Sequence, residues 1–317
     1  MTKNISLAYH DLSVMLDAGM PILRSLESLV SGLEGKLQST FLAVTKDISS
    51  ARPIAEAMAE HPKVFAPLDV SVIQAAETSG NLAESFKMLA QWYELVNRLK
   101  LIILSGMLLP IVLINITAFI APLPFLFLGQ ISILQYFLAM IRILALLYVP
   151  TAVVVAIYRL TPKTGALRRL FDTLTLRIPL LGQGIRHIAI SRYCRAFYMY
   201  HKAGIPIDQC AQTAPSMTGN IVITDLFKAG ADCIQTGKPI SDGFSRKLPT
   251  EFLNLWQIGE ETGELDSVTK RLADRYADSG KYLMAEFAKW LPRLVYFFVC
   301  AVIVIQILRG SGIIMLR

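Results

Sequence analysis

Residues 77–82 read ETSGNL, and residues 260–265 read EETGEL, 183 positions further along the chain. A second pair of stretches precedes them: residues 18–21 read AGMP and residues 203–206 read AGIP, 185 positions apart. Because self-similarity at a nearly fixed interval marks a duplicated structural unit, the chain is predicted to contain two copies of one unit.

Both copies have the pattern of helices. In the first copy, Leu82, Phe86 and Leu89 recur at the spacing of an apolar helix face, and neither copy has the alternating apolar runs of a strand. We therefore predict two repeated helical bundles, at 1–100 and 159–293, with about six short helices each.

The AGMP and AGIP stretches predict a corner between two helices. Gly19 and Gly204 are expected to end one helix in the left-handed conformation, and Pro21 and Pro206 to open the next at its first position.

The second pair of motifs raises an electrostatic question. Glu77 and Glu260 precede a capping glycine by three residues, in the last helical turn, where the helix dipole disfavours an acid. Each carboxylate is therefore expected to have a compensating ligand: an Arg or Lys of a partner, a cation, or a backbone amide of the next helix. The candidate partner-contact motif comprises Glu77, Gly80, Leu82, Glu260, Gly263 and Leu265.

Composition indicates a membrane protein. Of the 317 residues, 54% are hydrophobic and 17% are charged, whereas a soluble domain carries about 25% charged residues. Nearly uncharged runs predict transmembrane helices at 101–122, at 136–158 and in 294–317, which ends the chain, with a short outer loop at 123–135. The predicted fold class is an all-α integral membrane protein.

Lysine and arginine set the predicted orientation. Residues 1–100 hold nine, residues 159–293 hold nineteen, and the loop 123–135 holds none. By the positive-inside rule, the N-terminus and both bundles are cytoplasmic, whereas the loop and the C-terminus are outside, in the periplasm. Arg142 is either a functional intramembrane charge or a side chain that reaches the interface.

Basic residues are concentrated just after the second predicted span, where anionic lipid attracts them. This position accounts for the net charge of +7 without nucleic acid, so we expect contact with lipid or a partner protein. The juxtamembrane candidates are Arg159, Lys163, Arg168 and Arg169.

No catalytic, cofactor-binding or metal-binding residue is predicted. Gly237 and Lys238 lack the upstream glycine and the following Ser or Thr of a phosphate loop, and the histidines and cysteines lack the spacing of metal ligands. The chain is therefore predicted not to be an enzyme.

Two helical copies, each with Ala-Gly-x-Pro near its start and Glu-x-Ser/Thr-Gly-x-Leu near its end, resemble the type II secretion F family. This family includes the GspF-like and PilC-like inner-membrane platform proteins of type II secretion and type IV pilus machines. A first helix that begins within ten residues resembles the shorter members of type IVb pilus systems.

The resemblance implies a multi-pass scaffold of the cell inner membrane that couples a cytoplasmic ATPase to the assembly of pilin or pseudopilin subunits. It also implies a homo-oligomer beside other inner-membrane assembly components, without choosing between a pilus and a secretion machine. Two further classes stay open: a membrane signalling scaffold, which should have a larger outer domain than 123–135, and a channel or transporter component, which needs polar residues along its spans.

Overall fold

The computed structural model describes the backbone of residues 2–160 and 165–310. Side chains are described in these ranges except at residues 2 and 3 and at scattered positions in 99–114, 146–160 and 291–310. No strand occurs in the described ranges, and helices connected by short turns account for most of them. The predicted all-α class is confirmed.

The first copy is built from five helices and the start of a long sixth helix. In chain order, these described elements are α1 (Thr2–Asp17), α2 (Ile22–Gly32), α3 (Gly35–Ser49), α4 (Ile54–Ala59), α5 (Pro67–Ser79) and α6 (Leu82–Ile120). Three helices connect the copies: α7 (Leu123–Phe127), α8 (Ile133–Leu160) and α9 (Ala166–Arg177).

The second copy repeats this order with one region broken into shorter pieces. Its described helices are α10 (Leu181–Lys202), α11 (Ile207–Thr213), α12 (Ile221–Thr224), α13 (Ala229–Gln235), α14 (Thr250–Thr262) and α15 (Leu265–Gly310), with 3₁₀ turns at Ala214–Thr218 and Ile240–Gly243.

The breaks between α11 and α12 follow from local sequence. Gly219 takes a positive φ of 77° and ends the first 3₁₀ turn. Asn220 then caps α12, because its side-chain oxygen accepts a hydrogen bond from the Ile223 amide. In the first copy the junction between α2 and α3 falls at the corresponding positions, and α3 then continues as one helix where the second copy forms α12 and α13.

One compact unit contains the described residues of 1–100 and 185–280, so both copies share it. Each copy keeps its own aromatic core. In the first copy the Phe41 and Phe65 rings meet edge to face at 5.4 Å, and in the second the rings of Tyr193 and Phe227 stack at 3.8 Å.

A second unit contains the described residues of 101–184 and 281–317. It therefore includes the two ends of 159–293, the range predicted as the second bundle. Within this unit, hydrogen bonds join the described parts of α6 and α8. Asn115 Nδ2 donates to Tyr148 Oη (2.8 Å), and Tyr136 Oη donates to the Phe119 carbonyl (2.9 Å).

Among the residues that the structure describes, no helix is at once long and apolar enough to cross a membrane. The predicted spans fall on α6, α8 and α15, and many of their side chains, with all of 311–317, lie outside the described residues. The three spans stay predictions.

Candidate partner-contact site

Glu77 lies in the last turn of α5, and its carboxylate reaches the start of α4. Oε1 accepts a hydrogen bond from the Ile54 amide (2.5 Å), and Oε2 accepts one from the Ala55 amide (3.0 Å). A helix start leaves such amides unpaired, and the positive end of its dipole favours a negative charge. This contact offsets the unfavourable position of the acid at the end of α5.

Glu260 repeats the arrangement in the second copy. Oε1 accepts from the Ile240 amide (2.6 Å) and Oε2 from the Ser241 amide (3.1 Å), while the Ser241 hydroxyl also donates to Oε2. Both glutamates therefore bind backbone amides. These amides belong to the element that precedes the helix of the glutamate and not to the one that follows, because α4 and the second 3₁₀ turn pack back against α5 and α14.

The glycines that follow these glutamates end their helices in the left-handed conformation. Gly80 and Gly263 both have a φ of 74°. The leucines two residues later begin the long helices: Leu82 is half-buried at the start of α6, and Leu265 is buried at the start of α15.

The Ala-Gly-x-Pro stretches form the corners between α1 and α2 and between α10 and α11. Gly19 and Gly204 have φ values of 82° and 93°. The prediction that Pro21 and Pro206 are the first helical residues is wrong by one position. Both stand at the N-cap, because their ψ values of 143° and 145° are extended, and the helices begin at the residues that follow them.

The end of α5 meets the corner of the second copy, and we call this the inter-copy contact. Ser79 Oγ donates a hydrogen bond to the Ala203 carbonyl (3.3 Å), and Lys202 Nζ lies 3.8 Å from Glu84 Oε1. Beside it, a cleft of about 390 Å³ separates α5 from α10 and α11. Nothing in the sequence indicated which motif of one copy meets which motif of the other.

Two of the four juxtamembrane candidates are described, both on α9. Arg168 Nε lies 3.5 Å from Oδ1 of the buried Asp172, and Arg169 is exposed. The Arg159 side chain and all of Lys163 lie outside the described residues. Arg168 therefore has a structural role within its helix, whereas Arg169 is accessible.

The same helix carries an exposed apolar stripe. Leu167, Leu170 and Leu174 are 60%, 57% and 49% exposed, at a spacing that places them on one helix face. Basic residues beside such a stripe are typical of helices that lie in a membrane interface.

Asp69 is a buried acid that the sequence analysis missed. It is fully buried in α5, and its Oδ2 accepts hydrogen bonds from Tyr93 Oη (2.7 Å) and the Ala66 amide (2.8 Å). Oδ1 is buried without a hydrogen-bond partner among the described residues. Burial raises the pKa of Asp69 to about 6. Pro67 two residues earlier marks a helix start, which indicates a capping role for Asp69 but not its burial.

The described cysteines have the surroundings of packing residues. Cys194 and Cys210 are buried free thiols, and burial raises the pKa of both. Cys233 is half-buried, and the side chain of Cys300 lies outside the described set. In the described part of the chain, no group of three or more His, Cys, Asp or Glu side chains could hold a metal ion.

The chain contains two copies of one helical unit, and in each copy a glutamate accepts hydrogen bonds from the backbone amides that follow a proline. These features define a class of duplicated helical-bundle proteins. The chain belongs to one family of this kind, described as Type II secretion system (T2SS), protein F. The family model matches residues 8–129 and 193–308, which include most of both copies. The predicted family is confirmed.

Individual relatives come from both kinds of machine. The Type IV pilus assembly protein PilC of Thermus thermophilus is 27% identical over 332 aligned positions, which cover 97% of this chain and 80% of that protein. PilC of Myxococcus xanthus is 25% identical, with coverages of 87% and 71%. The Type II secretion system protein F of Vibrio cholerae is 22% identical, with coverages of 88% and 73%.

Proposed function

We propose that this chain is an inner-membrane platform protein of a type IV pilus or type II secretion machine, and that it couples a cytoplasmic ATPase to the polymerisation of pilin or pseudopilin subunits. The observation that carries the proposal is the family match, because it includes both copies with their glutamate and corner motifs. The names of the relatives, which refer to pilus assembly and type II secretion, support it.

The proposed topology follows the charge distribution. Spans at 101–122, 136–158 and 294–317 hold the chain in the membrane, both copies are cytoplasmic, and the loop 123–135 and the C-terminus are periplasmic.

A mechanism is suggested by the helices that follow the glutamate motifs. α6 has 39 residues and α15 has 46, and each begins two residues after a capping glycine and extends into a predicted span. A displacement of the cytoplasmic copies by the ATPase would pass along these helices to the spans, and from there to subunits in the bilayer.

The partner-contact role of the glutamate motifs is part of this proposal. The carboxylates of Glu77 and Glu260 are occupied by backbone amides, so their role is to fix the shape of the surface. Exposed neighbours such as Glu264 then supply the contact itself. Contact with anionic lipid is assigned to α9, through Arg169 and the leucine stripe.

Co-purification tests the proposal. The tagged full chain is extracted in mild detergent from a strain that expresses the machine, and we expect the ATPase and pilin-like subunits to accompany it. Glu264→Lys should reduce their recovery, whereas Glu27→Lys, an exposed change on α2, should not. Recovery of neither partner with a folded chain would contradict the platform role, and equal recovery with both variants would contradict the motif contact alone.

A further inference from the structure

The inter-copy contact forms once within the chain, although the repeat contains the equivalent residues for a second contact of the same kind. In the contact that is made, the end of α5 lies on the corner of the second copy, and the Cβ of Ser79 is 3.9 Å from the position a Cβ would take on Gly204. By the repeat offsets, the counterparts are Thr262, at the end of α14, and Gly19, at the corner of the first copy.

These counterpart surfaces are open. Among the described residues, no heavy atom outside its own chain neighbours lies within 4 Å of the Cβ position of Gly19. Ala18 is exposed, whereas its counterpart Ala203 is only 1% exposed. On α14, Thr262 is exposed and Ile258 is 51% exposed. Ala203 is thus covered in the second copy, whereas its counterpart Ala18 is uncovered in the first.

The ion pair of the contact that is made is not repeated on the open surfaces. The counterparts of Lys202 and Glu84 are Asp17 and Ser267.

The open surfaces carry one other pair of opposite charges. Arg24 on α2 is exposed and has no hydrogen bond or ion pair with the described residues, and Glu261 on α14 is exposed. Their counterparts, Gln209 and Thr78, both line the inter-copy cleft. In a second contact of the same geometry, Arg24 and Glu261 would therefore lie in one cleft with opposite charges.

We propose that the end of α14 in one molecule docks on the α1–α2 corner of a second copy of this chain, repeating the inter-copy contact between molecules. The contact is head-to-tail, because the two surfaces differ, so each molecule offers one surface to each neighbour. It does not depend on the proposed role in a secretion or pilus machine and can be tested in its absence.

Cysteine cross-linking tests this contact in the full chain. Ala18→Cys and Thr262→Cys are introduced into separate, differently tagged chains in which Cys233 and Cys300 are serine. Ala18 is used because the positive φ of Gly19 disfavours a side chain there. The native Cys194 and Cys210 are buried with raised thiol pKa, so a short bismaleimide should react with them slowly.

We expect a covalent dimer when the two chains are co-expressed and none from either chain alone. The yield should be roughly tenfold above that of Thr262→Cys with Ser39→Cys, an exposed control on α3. Arg24→Glu should lower the yield by about tenfold, and Glu261→Arg on the other chain should restore it.

Three outcomes would overturn the proposal. One is no cross-link above the Ser39 control from folded protein. Another is a cross-link within one molecule when a chain carries both cysteines. The third is a dimer whose yield is indifferent to Arg24→Glu. If the cross-link forms but the ATPase does not co-purify, the proposed role in a secretion or pilus machine is contradicted and the contact between copies is not.

Discussion

Glu77 and Glu260 each accept hydrogen bonds from two backbone amides, so the contribution of one side chain to stability can be measured. We expect Glu77→Ala to lower the free energy of unfolding by about 2–3 kcal/mol, because two helix-start amides lose a charged acceptor. Glu27→Ala, an exposed change on α2, should stay within about 0.5 kcal/mol. Denaturant unfolding of the full chain in detergent measures both, and equal values would show that these hydrogen bonds contribute nothing.

Asp69 makes the stability of the first copy depend on pH. Its folded pKa of about 6 is raised by burial above the usual value near 4. Between about pH 4 and pH 6 the folded state therefore binds more protons than the unfolded state, and the free energy of unfolding falls as pH rises, by roughly 2–3 kcal/mol.

Asp69→Asn removes this titration. The stability of the variant relative to the natural chain should rise by roughly that amount from pH 4 to pH 7. Asp11→Asn, an exposed change on α1, controls for the loss of a carboxylate. A difference between Asp69→Asn and the natural chain that stays constant across this range would mean that Asp69 is ionised throughout.

Gly80 tests how strongly the left-handed conformation at a helix end requires glycine. A Cβ at Gly80 would meet no atom within 4 Å, so any cost of alanine comes from its φ of 74°. We expect Gly80→Ala to destabilise the chain by about 1 kcal/mol or more. Gly32→Ala is the matched control, because its Cβ position is equally open and its φ is helical. Thermal unfolding of both variants should separate them, and equal midpoints would refute the strain argument.

The leucine stripe of α9 predicts a position for this helix. If α9 lies in the membrane interface, a spin label at Leu170→Cys in the reconstituted full chain should be more accessible to oxygen than to a polar nickel reagent. A label at Arg169→Cys, on a different face, should show the opposite preference. The same preference at both positions would place both faces in one environment and exclude the interfacial arrangement.

Helices and their ends could be predicted from sequence because local rules determine them. The spacing of Leu82, Phe86 and Leu89 and the glycines at 80 and 263 carry this information in a few residues. The ligands of Glu77 could not be chosen from sequence, because they depend on how α5 folds back against α4. The burial of Asp69 could not be predicted either, because it also depends on tertiary packing. A helix-start motif indicates a capping residue, and only packing against Tyr93 buries it.

At the scale of the whole chain, the repeat predicted two bundles, and both copies lie in one compact unit. The repeat is visible in sequence because both copies keep the same caps and corners. The pairing of Ser79 with Ala203 is not visible in sequence, since each motif of a duplicated sequence could contact either of two equivalent surfaces. Which surface is used depends on the connection between the copies, and local patterns carry no information about that choice.

The orientation of the chain rests on charge asymmetry, nineteen basic residues in 159–293 against none in 123–135, and can be tested in spheroplasts. In chains without native cysteines, Gln130→Cys should react with a membrane-impermeant maleimide from outside. Ser39→Cys, equally exposed but on α3, should react only after permeabilisation. Labelling of Ser39→Cys in intact spheroplasts would reverse the topology and would put the first copy out of reach of a cytoplasmic ATPase. Labelling of Gln130→Cys alone requires an odd number of crossings between residues 39 and 130, as a single span at 101–122 provides.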